Sequence, residues 1–247
     1  TLRGEADGCE PDFGVRIEVR LYNDIKRIEF HYAARRLPET DPSGLYVAFP
    51  FALEGGRLAF DVPGGVVYAG ENQIPGTSAS WNTVQNFVSV RNDRAQILVS
   101  CDAIPLFMMG ELLNDPYRQP RLYEKPHLFS WVTNNYWTTN FRASQEGELN
   151  WSYAITSQAD TSNAEASAFG WGNRVPLYAR VMPASRADNG KAWSRSFLST
   201  GCDHVLMTSC VPSKAEEGAV LINLRETDGR DATLTLLNAD GQPLPFE

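Results

Sequence analysis

An all-β fold built from short antiparallel strands is predicted by three features of the sequence. Apolar residues alternate with polar ones at a period of two in several runs, Gly, Pro, Asn and Asp bound most of those runs, and no long helical period separates them. This pattern favours a sandwich or barrel over a βαβ fold, which needs a helix between successive strands. The chain has 247 residues, enough to bury a stable core, and residues 1–247 are read as one β-sandwich domain.

Residues 1–13 read as a polar leader ahead of the first clear strand. There Val15, Ile17, Val19 and Leu21 share one face while Arg16, Glu18 and Arg20 share the other, as in a half-buried strand. Asn23-Asp24 supplies turn chemistry, and Ile28, Phe30 and Tyr32 alternate with Glu29 and His31, completing an antiparallel hairpin. Further strands are predicted over 45–51, 57–62, 86–91, 95–101, 129–133, 149–155 and 175–181. Near the end, runs over 218–226 and 232–237 flank Thr227-Asp228-Gly229, and Asn238-Ala239-Asp240-Gly241 follows, so a closing meander is expected. Helices are few and short, with 163–169 alone having a helix-friendly composition. The stretches 61–81 and 114–126 read as long aromatic- and proline-containing loops, which on a β-scaffold carry function or an interface.

A net charge of -8 opposes the positive field that phosphate backbones demand, so nucleic acid is not a partner. No run of about 18 apolar residues and no charged-then-apolar leader occurs, so no membrane association is expected. The protein reads as soluble, cytoplasmic or periplasmic in a bacterium. Cys9, Cys101, Cys202 and Cys210 lack a C-x-x-C pair and are read mostly as free thiols, with a Cys202–Cys210 bridge left open.

Several blocks, taken in order, resemble one family. They are Arg20-Leu21-Tyr22-Asn23-Asp24-Ile25-Lys26-Arg27-Ile28-Glu29-Phe30, Tyr46-Val47-Ala48-Phe49-Pro50-Phe51, Ile74-Pro75-Gly76 and Trp81-Asn82-Thr83-Val84-Gln85-Asn86-Phe87-Val88. Asn134-Asn135-Tyr136-Trp137-Thr138-Thr139-Asn140-Phe141 and Ile222-Asn223-Leu224-Arg225-Glu226 with Gly229 complete the set. This series is similar to the C-terminal β-sandwich region of family 38 glycoside hydrolases, the α-mannosidases. The resemblance implies a large antiparallel β-supersandwich of the galactose-mutarotase-like kind. It also implies, as partners, a catalytic barrel and a helical domain of the same polypeptide and a mannose-containing glycan. The family's nucleophile and its zinc or other divalent cation belong to that barrel, and nothing here resembles its His-x-Asp motif. No cofactor and no catalytic residue are therefore assigned to this chain.

Sugars are recognised by flat rings against pyranose faces and by amides that satisfy hydroxyls. Trp81, Asn134, Asn135, Tyr136, Trp137 and Asn140 are the substrate-binding candidates on that chemistry. The competing reading packs the rings within a sheet and spends the asparagines on turn backbone. Asp61, Glu71, Asp102 and Glu111 are the carboxylates weighed for a hydrolytic pair, which needs a separation of about 5 Å or about 6.5–9.5 Å. The leading expectation is a noncatalytic part of an α-mannosidase-like hydrolase. The alternatives are a stand-alone sugar-binding module and a mutarotase or epimerase using His127 or His204.

Overall fold

The alternation over 15–32 does form a hairpin. In the computed structural model, β2 (Gly14–Leu21) pairs antiparallel with β3 (Ile28–Arg36), setting Leu21 opposite Ile28, Val19 opposite Phe30 and Ile17 opposite Tyr32. The structure describes residues 2–7, 14–78, 80–112, 123–135, 144–175, 177–181 and 194–244. These group into two compact units, Thr1–Arg174 and Val175–Glu247, each taken by itself below.

In the first unit the segment read as a polar leader contains β1 (Leu2–Asp7), which pairs with β2 along its whole length. Leu2, Gly4 and Ala6 do alternate with Arg3, Glu5 and Asp7, but glycine and alanine give little apolar contrast, and an edge strand is held by backbone hydrogen bonds that any side chain permits. The other strands are β4 (Gly44–Pro50), β5 (Arg57–Val62), β6 (Gly65–Tyr68), β7 (Asn82–Thr83), β8 (Val88–Arg91), β9 (Gln96–Ser100), β10 (Leu106–Met109), β11 (His127–Asn134) and β12 (Gly147–Gln158). They build an eight-stranded sheet, β1-β2-β3-β12-β9-β8-β5-β6, and a four-stranded sheet, β4-β11-β10-β7. Part of the expected loop over 61–81 is thus a hairpin, with Val62 opposite Gly65 and Gly64 at a φ of 90° that only glycine adopts readily.

The two sheets share one core. Phe49, Phe107, Met109 and Leu128 from the smaller sheet meet Leu58, Phe60, Val88, Val90, Val99, Trp151 and Tyr153 from the larger. Tyr153 crosses the gap: its ring stands edge-on to Phe49 at 5.0 Å and its hydroxyl donates to Ser130 Oγ at 2.8 Å. That bond satisfies a phenol hydroxyl that an apolar interior would otherwise penalise. Burial pushes the Tyr153 phenol well above its ordinary value, and likewise raises the Cys101 thiol to about 11.

Period-two alternation sends Phe87 and Leu98 to the opposite face of the larger sheet, where they bury Ala166 of α1 (Asn163–Arg174). The helix is longer than the predicted 163–169. Ser162 Oγ accepts from the Glu165 N–H at 3.2 Å, an N-cap with the S-x-x-E spacing of a capping box. Gly170 lets the helix approach the sheet, since a Cβ there would sit 3.0–3.1 Å from Asn86. Arg27, Asn173 and Ser100 then chain together, Arg27 Nη2 donating to Asn173 Oδ1 at 2.7 Å and Asn173 Nδ2 to Ser100 Oγ at 3.0 Å.

The second unit carries two ribbons, β13 (Leu198–Ser199) with β16 (Leu237–Asn238), and β14 (Val205–Pro212) with β15 (Val220–Glu226). The closing meander is corrected: the run over 218–226 pairs with β14 and not with 232–237, of which only Leu237 is in a strand. The turn at Asn238-Ala239-Asp240-Gly241 is present, Gly241 N donating to Asn238 O at 3.0 Å. The strand predicted over 175–181 is absent from its described residues. Its pattern is interrupted by Pro176, which offers no N–H to a ladder, and Leu177, Tyr178 and Val181 are nearly fully exposed. Cys101, Cys202 and Cys210 are free thiols, so the Cys202–Cys210 bridge left open by the sequence is not formed. Among the described residues, no helix is long and apolar enough to cross a membrane.

Candidate functional site

On the smaller sheet, cross-strand pairing sets Trp131 opposite Tyr46. Their rings stack at 5.4 Å with an interplanar angle of 19°, and Gly44 makes room for them: a Cβ there would lie 2.8 Å from the Tyr46 ring and 3.0 Å from Trp131 Nε1. Trp81, just ahead of β7, stands edge-on to Trp131 at 5.4 Å and 66°. Trp131 is buried, while Trp81 and Tyr46 are half-buried. The sequence reading chose Trp81 and missed Tyr46 and Trp131, whose residue types within alternating strands gave no signal that they would stack across β4 and β11.

Of the paired asparagines, Asn134 ends β11 opposite Gly44 and is half-buried. Asn135 is buried and fully engaged. Its Oδ1 accepts from Ser43 Oγ at 2.8 Å and Arg36 Nη2 at 3.1 Å, and its Nδ2 donates to the carbonyls of Asp41 at 2.7 Å and Glu39 at 3.4 Å. An amide has two acceptor and two donor positions, so Asn135 has none left for a ligand and serves to hold the 39–43 loop. Arg36, which also donates to Thr133 Oγ1, ties that loop to β11. Tyr136, Trp137 and Asn140 lie outside the described residues.

The carboxylates weighed for catalysis fall in different settings. Asp61 is buried and accepts three hydrogen bonds, from the N–H groups of Asn86 and Phe87 at 2.7 and 2.9 Å and from Asn86 Nδ2 at 2.7 Å. It organises the turn into β8. Glu71 pairs with Arg57, whose bond holds the carboxyl below its ordinary value. Asp102 is exposed and Glu111 half-exposed. Among the histidines, His31 contacts Glu29 at 3.1 Å, His127 stands edge-on to Phe129 at 6.3 Å, and His204 lies in the second unit.

A polar cleft of about 440 Å³ opens elsewhere in the first unit, lined in part by Arg57, Tyr68, Arg91, Asn92, Asp93 and Arg94. Arg57 lies over the Tyr68 ring at 4.1 Å. Its guanidiniums and amide suit hydroxyl-rich or anionic groups. Sequence reading missed it because its residues come from two separate hairpins, β5–β6 and β8–β9, and from Thr161 ahead of α1.

No family model matches the chain, and neither does any curated protein. Solved structures do share its fold. An alpha-mannosidase from Enterococcus faecalis V583 superposes with a TM-score of 0.69 at 12% identity, over 94% of this chain and 25% of that one. A protein of glycosyl hydrolase family 38 from Enterococcus faecalis gives a TM-score of 0.65 at 13% identity, over 94% and 26%. The resemblance read from the ordered blocks is therefore borne out in the fold, and the chain spans about a quarter of the length of the structures it matches.

Proposed function

We propose that this chain is the noncatalytic β-sandwich portion, over 1–247, of an α-mannosidase-like glycoside hydrolase, bordering the substrate cleft of the whole enzyme. The single observation that carries the reading is a shared fold over 94% of the chain that accounts for only a quarter of each neighbour. A galactose-mutarotase-like supersandwich, C-terminal to a catalytic barrel and a helical domain, is the architecture that goes with it. Hydrolysis of α-mannosidic bonds, and a zinc or other divalent cation serving it, belong on this reading to the barrel. The engagement of Asp61 by three donors and of Glu71 by Arg57 supports it, because neither carboxylate is poised for acid–base work. The purified chain is expected to leave an aryl α-mannoside intact. Hydrolysis at an enzyme-like rate that a local carboxylate substitution abolishes would overturn the proposal.

A second reading, a sugar-binding module, is favoured by the half-buried rings of Trp81 and Tyr46 beside the start of the Asn134 to Asn140 block. The rings would stack on a mannose-containing glycan, with Asn134, Tyr136, Trp137 and Asn140 supplying further contacts. Calorimetry with mannose oligosaccharides should then show heat that Trp81→Ala and Trp137→Ala each reduce. An absence of heat in the unaltered chain rejects this reading and leaves the first intact.

A further inference from the structure

In the second unit, the loop between β13 and β14 is pinned from several directions. Thr200 Oγ1 donates to Cys202 O at 2.9 Å and accepts from Cys202 N at 3.4 Å, while Ser199 Oγ accepts from Gly201 N at 3.1 Å. Thr227 fixes the His204 carbonyl through its N–H and its hydroxyl, both at 3.0 Å. Gly201 takes a φ of 64°, a left-handed conformation that turns the chain back at this point. The result is convergence of three consecutive side chains. Cys202 Sγ lies 3.2 Å and Asp203 Oδ1 3.0 Å from the same atom, His204 Nδ1, and one donor atom from each residue lies within 4.8 Å of the others.

A nucleophile–base pair does not fit this geometry. A histidine base holds the nucleophile on one ring nitrogen and its orienting carboxylate on the other; here carboxylate and thiol both stand nearest Nδ1, the sulfur at 3.2 Å against 3.6 Å to Nε2. A sulfur, an imidazole nitrogen and a carboxylate oxygen converging on one point are instead the donor set of a metal ion. With bonds of about 2.3 Å to sulfur and about 2.0–2.2 Å to nitrogen or oxygen, tetrahedral donors stand about 3.4–3.6 Å apart. The two contacts to His204 Nδ1, 3.0 and 3.2 Å, need to widen by a few tenths of an ångström, and the sulfur, which now also stands 3.6 Å from Nε2, turns toward the ring plane.

We propose that Cys202, Asp203 and His204 form a binding site for a late first-row divalent metal ion, of which zinc is the principal one. Thiolate is a soft donor and imidazole a borderline one, and both are poor ligands for calcium and magnesium, which take oxygen. The Asp203 side chain is 89% exposed and that of His204 only 11%, so the ion sits between a buried imidazole and solvent, with water completing its shell. Arg230, the nearby cation, lies 3.2 Å from Asp228 Oδ2 and farther, 3.7 Å, from Asp203 Oδ1, so its main anchor is Asp228. On binding, the Cys202 thiol forms the metal–sulfur bond and releases its proton to solvent. The site stands on this chain's residues alone and does not rest on the mannosidase reading.

Cobalt(II), added to the reduced, metal-free 247-residue chain, is the probe. A saturable one-to-one titration is expected, with thiolate-to-cobalt charge-transfer absorption. C202S and H204A should each weaken it by more than about a hundredfold, since even outer-shell changes cost roughly 10–100-fold. C210S should leave it unchanged. A wild-type chain without the band, or a band that survives in C202S, overturns the site. Circular dichroism checks the fold of each variant. If either fails to fold, D203N at the exposed position takes its place; a loss of about tenfold or more supports the site, and an unchanged affinity overturns it.

Discussion

Residues 1–174 fill the space between two sheets with Phe49, Val88, Phe107, Leu128 and Tyr153, all buried, whereas residues 175–247 leave Val211, Val220 and Leu221 on solvent-facing parts of a two-stranded ribbon. Both regions have strand-forming sequences with alternating apolar residues. The difference lies in the number of strands that the topology collects: eight and four in the first unit, two and two in the second. A two-stranded ribbon offers each side chain few neighbours and is marginal without a third strand or a covering layer. Among the described residues of the second unit only Val205 and Leu236 are buried apolar side chains, and its turns are held by local polar bonds. Glu226 illustrates it, since its carboxylate accepts from Asp228 N at 2.6 Å and Gly229 N at 2.7 Å, closing the turn after β15.

This contrast can be broken by substitution. The largest effect is expected from Phe107→Ala, which empties a site in the middle of the shared core and should cost about 3–5 kcal/mol by urea denaturation. A cost below about 1 kcal/mol would mean that the sheets do not depend on this contact. Asp61→Ala removes the acceptor of three buried donors and should cost about 3 kcal/mol; if stability is unchanged, the turn into β8 is held by something else.

A smaller effect follows from Glu29. Burial alone would raise its carboxyl, but hydrogen bonds from Tyr22 and His31 and the charge of Arg27 outweigh it and hold the group below its ordinary 4.5. A depressed folded value stabilises the protein above the unfolded value, and that contribution is lost as pH falls through the folded one. Glu29→Gln should therefore flatten the acid loss of stability below about pH 4.5, measured as the thermal midpoint against pH; identical slopes would rule the linkage out. The smallest effect is expected from Leu221→Ala in the second unit, within about 0.5 kcal/mol. A loss of 2 kcal/mol or more, on the scale of buried positions, would show that the two units are closer in kind than their burial implies.

Local pattern carried much of this information. The β2–β3 hairpin, β5 and β12 were legible because half-buried strands must alternate. β1 was not, because Gly4 and Ala6 give its alternation too little apolar contrast to stand out, and β10 and β14 were missed as strands. The helix boundary was readable through Ser162 and Glu165, whose spacing signals a capping box, and that signal was overlooked. Trp81 was legible as an aromatic in a turn-rich stretch, but its contact with Trp131 was not. Asn135 was not, since an asparagine that binds a sugar and one that clamps a loop look identical until Arg36, Ser43 and the carbonyls of Glu39 and Asp41 are placed around it.

By itself, then, the sequence determined the all-β class, the first hairpin and the net acidic charge, because periodicity and charge are properties of neighbours along the chain. Only the tertiary structure decided that β14 and not 232–237 pairs with β15, that Tyr46, Trp81 and Trp131 meet, and that Asp61 is occupied. Each of those depends on contacts between residues far apart in sequence, or on a choice among several strands of similar pattern, which no local period encodes.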